Sequence, residues 1–142
     1  MNASNSPGLS WLSVRDDRLV DESGRTVTLY GVGLGGWLNM ENFITGYPFT
    51  ESAMRDALRR TLGEEGYARF FDRFLTAFFD EADARFLASI GLNSVRVPFH
   101  YRIFEDDARP FRLKEEGFAL LDRVIDICAA AGVYVILDLH AA

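Results

Sequence analysis

Cysteine is nearly absent from this chain of 142 residues: Cys128 stands alone, so no intrachain disulfide can staple the fold. It falls on the apolar side of a predicted helix and is expected to be a small core residue. An excess of basic charge is missing as well. The 15 Lys and Arg against 21 Asp and Glu are scattered rather than run together, leaving a formal net charge of -6 and a pI near 4.9. Without a basic face to neutralise phosphates, neither nucleic acid nor an anionic membrane is expected as a partner. No apolar stretch approaches the roughly 20 residues that span a bilayer. The first residues lack a cationic start followed by an apolar run, which sets the expectation of a soluble, cytoplasmic protein.

What is present is core-forming material, with 49% of residues hydrophobic and 13% aromatic. That composition excludes disorder and fits one domain or part of one. Residues 1–9 read as a flexible tail. Leu12 to Val14, Arg18 to Asp21 and Thr26 to Tyr30 are short β-prone runs separated by turn signals, predicting a small antiparallel ribbon. The chain is then organised around Thr28 to Glu41, an apolar run ending in Gly31, Gly33, Gly35 and Gly36 and followed at once by Trp37 and Glu41.

Two further apolar runs, Asn93 to Pro98 and Val133 to Leu139, repeat that strand-then-polar arrangement, with helical patterns between. Ser52 to Leu62 predicts a helix ending near Gly63. Glu64 to Phe79 predicts another, whose stripe Tyr67, Phe70, Phe71, Phe74, Leu75 and Phe78 reads as core. Asp80 is placed to cap a third, with Asp83 near its positive end and Phe86, Leu87 and Ile90 on its buried side. His100 to Leu113 reads as a polar loop. Lys114 to Ala131 reads as an amphipathic helix with Phe118, Leu121, Ile125 and Cys128 on one stripe. This βαβαβ order predicts an α/β fold with a parallel sheet buried on both faces. Its last strand would be a bare apolar edge, so the chain is expected to be the amino-terminal part of a larger domain.

In such folds ligands gather at the carboxyl ends of the strands, and the ionisable residues there are the candidates. Arg96 lies inside a strand expected to be buried, where it needs an acid partner or a ligand. Alternation puts Asp138 and His140 on one face of the last strand. If that face points inward, Arg96, Asp138 and His140 converge, with Glu41 arriving from the first loop. The trio reads either as a structural ion pair with a satisfied histidine or as a site. Gly31, Gly33 and Gly36 match a dinucleotide loop, but no helix starts at the third glycine and no acid ends the next strand. His100, His140 and Asp138 raise a metal site, yet with two histidines and no cysteine pair no metal is expected, and no cofactor.

The blocks Gly31 to Glu41, Gly91 to Pro98 with Tyr101, and Val135 to Ala141 together resemble glycoside hydrolase family five, closest to its exo-glucanase branch. The resemblance implies a (β/α)8 TIM barrel, of which this chain would supply a bottom-capping ribbon and the first three strands with their helices. It implies that residues 10–142 are the amino-terminal part of a catalytic barrel acting on β-glucans or β-glucosides. Glu41 then matches a carboxylate binding the sugar, Arg96 the arginine supporting the nucleophile and His140 the histidine ending strand three. Trp37, Tyr101 and Asp138 are the other expected substrate contacts. Gly33, where the branch commonly has asparagine, and His100, where it often has glycine or asparagine, depart from the pattern and leave the substrate open in detail.

The family's acid/base and nucleophile glutamates follow the fourth and seventh strands, beyond Ala142. The chain alone is therefore expected to be inactive. The alternative from another class is a non-catalytic module binding carbohydrate or a partner through Trp37, Tyr47 and Tyr101.

Overall fold

The computed structural model describes residues 9–140, so residues 1–8 of the expected tail lie outside the described residues. β1 (Ser13–Arg15) and β2 (Arg18–Val20) pair antiparallel across Asp16 and Asp17. Of the third β-prone run, Thr26 adds an isolated bridge to Val20. The turn between is held by buried Asp21, whose carboxylate accepts from the Ser23 hydroxyl at 2.6 Å, the Ser23 N–H at 2.9 Å and the Arg25 N–H at 2.9 Å.

β3 (Gly31–Gly33), β4 (Ser94–Phe99) and β7 (Tyr134–Leu139) form a parallel sheet in the order β3-β4-β7. β3 is much shorter than the apolar run that contains it. Its entry is clamped by Asn93, whose side chain accepts from Tyr30 N–H at 2.7 Å and donates to the Thr28 carbonyl at 2.9 Å. Glycine is obligatory at position 31, because a Cβ there would sit 2.2 Å from the Ser94 carbonyl oxygen. Proline inside a central strand is unusual, but the shortness of β3 accommodates Pro98. The Ser94 and Arg96 backbone groups bond toward β3, so Pro98's missing donor falls on that side, past the end of the β3 ladder.

The helices obey the caps and breakers written in the sequence. A four-residue α1 (Asn42–Thr45) follows the glycine run. α2 (Glu51–Ala77) is two helices joined across Gly63, whose φ of 69° and ψ of 169° interrupt the helical path, as expected of a breaker there. Asp80 caps α3 (Glu81–Ser89) in a reciprocal capping box with Asp83, worth about 1 kcal/mol. α4 (Glu115–Ala130) ends just before Gly132. No described helix is long and apolar enough to cross a membrane.

The core lies between the sheet and these helices. Val95, Val97 and Phe99 of β4 meet Ala84 of α3 and Leu121, Val124, Ile127 and Cys128 of α4, with Trp37, Phe79 and Val133 closing the cluster. Burial of each such aliphatic side chain contributes about 1.5–3 kcal/mol.

Four expectations are corrected by this packing. On α3 it is Ala84 and Leu87 that turn to the core, whereas Phe86 and Ile90 lie one step round the helix and are exposed. On α4 the covered stripe runs through Leu121, Val124 and Ile127 to Cys128, leaving Phe118 and Ile125 at its margins. On α2 the aromatic stripe is only partly core. Phe71 is buried, but Phe70 stays exposed because no described element covers that side, and Phe78 is covered on one face only, by Trp37. Finally, the segment read as a polar loop is structured: a 3₁₀ turn (Tyr101–Ile103) leads into an antiparallel hairpin of β5 (Glu105–Asp106) and β6 (Arg109–Leu113).

Candidate active site

β4 alternates between two environments. Val95, Val97 and Phe99 point into the helix layer, while Arg96 points to the other face. Register pairs Arg96 with Ile136 and Pro98 with Asp138, so Asp138 stands two residues further along β7 on the face that carries Arg96. His140 continues that face, its backbone N–H held by the Phe99 carbonyl at 2.9 Å. The sheet thus brings Arg96 of β4 to two ionisable side chains, Asp138 and His140, that lie about forty residues further along the chain.

They meet in direct contact. Arg96 Nη2 approaches His140 Nε2 at 2.6 Å and forms an ion pair with Asp138 Oδ2. His140 Nε2 lies 3.1 Å from the same oxygen. Although both groups are within ion-pair range, neither meets Asp138 Oδ2 at hydrogen-bonding geometry. That oxygen is shielded from solvent by the guanidinium and imidazole nitrogens that lie against it.

Arg96 was expected in the interior of a strand buried on both faces. Its side chain is instead 46% exposed, because no described element covers the face it occupies, and Asp138 and His140 are 30% and 36% exposed. Gly33, in register with Arg96, keeps the adjoining position small: a Cβ there would come within 3.8 Å of Arg96 Nη1.

The remaining candidates do not join the trio. Glu41 precedes α1, its carbonyl accepting from Ile44 and Thr45 N–H, and among the described residues its carboxylate makes no hydrogen bond or ion pair with the three. Tyr101 donates to Asp107 Oδ1 at 2.7 Å, a bond that holds its phenol above the ordinary tyrosine range. Trp37, expected as a stacking surface for a ligand, is a core residue. It is 1% exposed, lies parallel to Phe78 at 5.7 Å, and donates its indole N–H to the Leu75 carbonyl at 3.2 Å. An indole enclosed in this way has no free face to offer a sugar.

Three features carry weaker sequence signals. Ile44 folds back over Gly35 and Gly36, its Cδ1 only 2.5 Å from where a Cβ on Gly35 would lie, so these two positions have no room for a side chain. Among the described residues no three His, Cys, Asp or Glu side chains gather as a metal-holding group. A cleft of about 600 Å³ runs between α2 and the start of α4, lined by Glu51, Arg55, Tyr67, His100, Arg102 and Lys114. Two of its cations are already paired, Arg55 with Glu51 across the lining at 2.6 Å and Arg102 with Asp107 outside it at 2.9 Å. His100 is held below the ordinary histidine range by burial and by the neighbouring Arg102 charge.

Residues 64–142 match the family model of cellulase, glycosyl hydrolase family 5. The chain is 56% identical over 134 residues to a β-xylosidase of Phanerodontia chrysosporium, covering 94% of this chain and 28% of that protein. It is 31% identical over 121 residues to a glucan 1,3-β-glucosidase of Pichia angusta (80% of this chain, 27% of the relative). It is 28% identical over 112 residues to endoglucanase C of Acetivibrio thermocellus (79% and 25%). Its fold is like that in the crystal structure of an endogalactoceramidase, with a TM-score of 0.58, 19% identity, and cover of 89% of this chain and 22% of that one. The chain thus spans about a quarter to a third of the length of the curated relatives it matches. Matched over more than half its length by the family model, and carrying the parallel sheet that the family's fold requires, this chain belongs to glycosyl hydrolase family 5.

Proposed function

We propose that this chain, over residues 10–142, is the amino-terminal part of a (β/α)8 catalytic barrel, with the β1–β2 ribbon closing its bottom and β3, β4 and β7 as its first three strands. The whole protein would be a retaining glycosidase that hydrolyses the O-glycosidic bond of a β-linked glucoside or glucan, or of the β-xyloside that the xylosidase relative's name suggests. In a barrel of this kind the open face of the sheet is the inner wall, and the residues at its carboxyl end meet the substrate.

The observation that carries this reading is the cluster of Arg96, Asp138 and His140 on the uncovered face, where all three side chains remain partly exposed. A sugar hydroxyl is a donor and an acceptor at once. It can donate to the partly exposed Asp138 carboxylate while taking a hydrogen bond from the guanidinium or imidazole. In the retaining reaction one carboxylate attacks the anomeric carbon as the leaving oxygen takes a proton from a second carboxyl group. Water then hydrolyses the glycosyl ester, with the two carboxyls roughly 5–5.5 Å apart. Arg96 would hold the attacking carboxylate ionised and oriented, and Asp138, His140 and Glu41 would bind ring hydroxyls. Tyr101 would act from the rim, on the loop after β4. Both reacting glutamates are assigned by the family pattern to later strands, so these 142 residues by themselves would bind without turnover. Of the three stacking surfaces of the non-catalytic alternative, Trp37, Tyr47 and Tyr101, the first is buried.

The test is an assay on aryl β-glucosides and β-xylosides of this chain alone and of the chain extended through a complete barrel. The extended protein should turn over substrate, and Arg96→Ala should lower its kcat/KM by about 10²-fold or more, the effect of removing one preorganised charge-stabilising donor. Turnover by the isolated chain, or indifference of the extended protein to Arg96→Ala, would overturn the proposal.

A further inference from the structure

The cleft between α2 and the start of α4 is floored by the helix-layer core, where Leu38 is buried and Leu75, Ile103 and Leu120 are partly so. Arg96, Asp138 and His140 take no part in its lining. At about 600 Å³ it has the size of a small-molecule pocket. Contacts within the chain fix its shape. A Cβ on Gly117 would sit 2.3 Å from the Ile103 carbonyl oxygen, so α4 is pressed against the 3₁₀ turn, and the Phe104 carbonyl holds the Lys114 N–H at 2.7 Å.

Five half-buried polar residues stand over that floor: Glu51, Arg55, Tyr67, His100 and Lys114. Glu51 and Arg55 neutralise each other. The other three keep protons with no acceptor among the described residues. Lys114 Nζ donates to the Arg102 carbonyl at 2.5 Å, which uses one of its three protons, and it makes no ion pair there. His100 Nδ1 accepts from the Arg102 N–H at 3.2 Å, so the proton of the neutral ring that burial favours sits on Nε2. The Tyr67 oxygen accepts from Arg55 Nη1 at 3.1 Å, and its own proton is left over. Lys114 and His100 thus grip the two backbone groups of one residue, while Arg55, which holds Tyr67, lies near enough to His100 for its charge to act on the ring.

Left-over donors beside an uncancelled ammonium suit an anion, and a carboxylate offers about four acceptor positions on two oxygens. Asp72 and Glu116 are exposed on the same lining without an ion pair among the described residues, and they oppose a second negative charge on the ligand. The floor suits hydrocarbon. We propose that this cleft is a binding site for a small monocarboxylate with an apolar body, its carboxylate taken by Lys114, Tyr67 and His100 and its body laid on Leu75, Ile103 and Leu120. The site uses no residue of the sheet's open face, and it stands whether or not the glycosidase reading holds.

The experiment titrates the complete protein at neutral pH with 4-phenylbutyrate and with its uncharged amide, 4-phenylbutyramide, by calorimetry. The acid should bind about tenfold or more tightly than the amide, the difference one charge-assisted hydrogen bond makes. Lys114→Met should remove that preference and leave the amide's affinity unchanged. Tyr67→Phe, which deletes a single hydroxyl, should weaken the acid about threefold. Because Lys114 also holds the Arg102 carbonyl, melting temperature is followed in parallel, and if Lys114→Met does not fold, Tyr67→Phe decides alone. No binding of the acid, equal binding of acid and amide, or a preference that survives in every variant that folds would overturn the proposal, as would displacement of the acid by an equal concentration of inorganic phosphate. None of these outcomes bears on the hydrolysis of aryl glycosides.

Discussion

The two faces of the three-stranded sheet are made by the same strands and differ in almost everything else. One face sends Val95, Val97 and Phe99 into a closed layer with α3 and α4, where side chains are buried and apolar. The other sends Arg96, Asp138 and His140 to a surface that no described element covers. Period-two alternation lets one strand do both, so stability and chemistry can vary separately. Mutations on the closed face should act on folding, and those on the open face on ligands.

The sharpest way to break that division is Trp37→Ala. The indole belongs to the closed layer despite following the glycine run, and its loss should destabilise the chain by about 3–5 kcal/mol in a urea titration. A loss under about 1 kcal/mol would return Trp37 to the ligand side. Val97→Ala should cost about 2–3 kcal/mol, as expected for two buried methyl groups and the cavity they leave. Cys128 reports on the same layer by a different route. Burial pushes its thiol up to about 11, so alkylating reagents at pH 8 should leave it unmodified until the chain unfolds. Prompt labelling under native conditions would show that the layer is open.

On the uncovered face, Arg96→Ala should change stability by no more than about 1 kcal/mol, since its ion pair is partly solvated. A larger loss would make the trio a structural cluster. The most local effect belongs to the ribbon. Ser23 and then Arg25 hold the Asp21 carboxyl at about 2, below its ordinary 3.8. The unfolded chain therefore takes up this proton before the folded chain does. Ionised Asp21 adds stability above about pH 4 and loses it as pH falls toward 2. Asp21→Asn should flatten that part of the stability curve.

Much of this was legible in the sequence because it depends on local rules. The break at Gly63, the capping pair Asp80 and Asp83, and the placement of Asp138 and His140 on one face follow from backbone geometry that short stretches dictate. What was not legible depends on what lies against each surface. Trp37 beside a polar loop reads like an exposed platform, and only tertiary packing encloses it. Phe86 and Ile90 have the period of a buried face but not its phase, and periodicity does not say which side of a helix finds a partner. Arg96 was read as buried because a parallel sheet is usually covered on both sides, and here no described element covers one of them. The β5–β6 hairpin escaped notice because its strands are short, polar and interrupted by Pro110.

The two-face account is tested most directly by nuclear magnetic resonance of this chain during titration with methyl β-glucoside or methyl β-xyloside. The account predicts shifts at Arg96 Nε and at the His140 ring nitrogens, with the Val95, Val97 and Val124 methyl signals unmoved. Saturable shifts confined to the valine methyls or to the α2 side, with Arg96 and His140 silent, would contradict it.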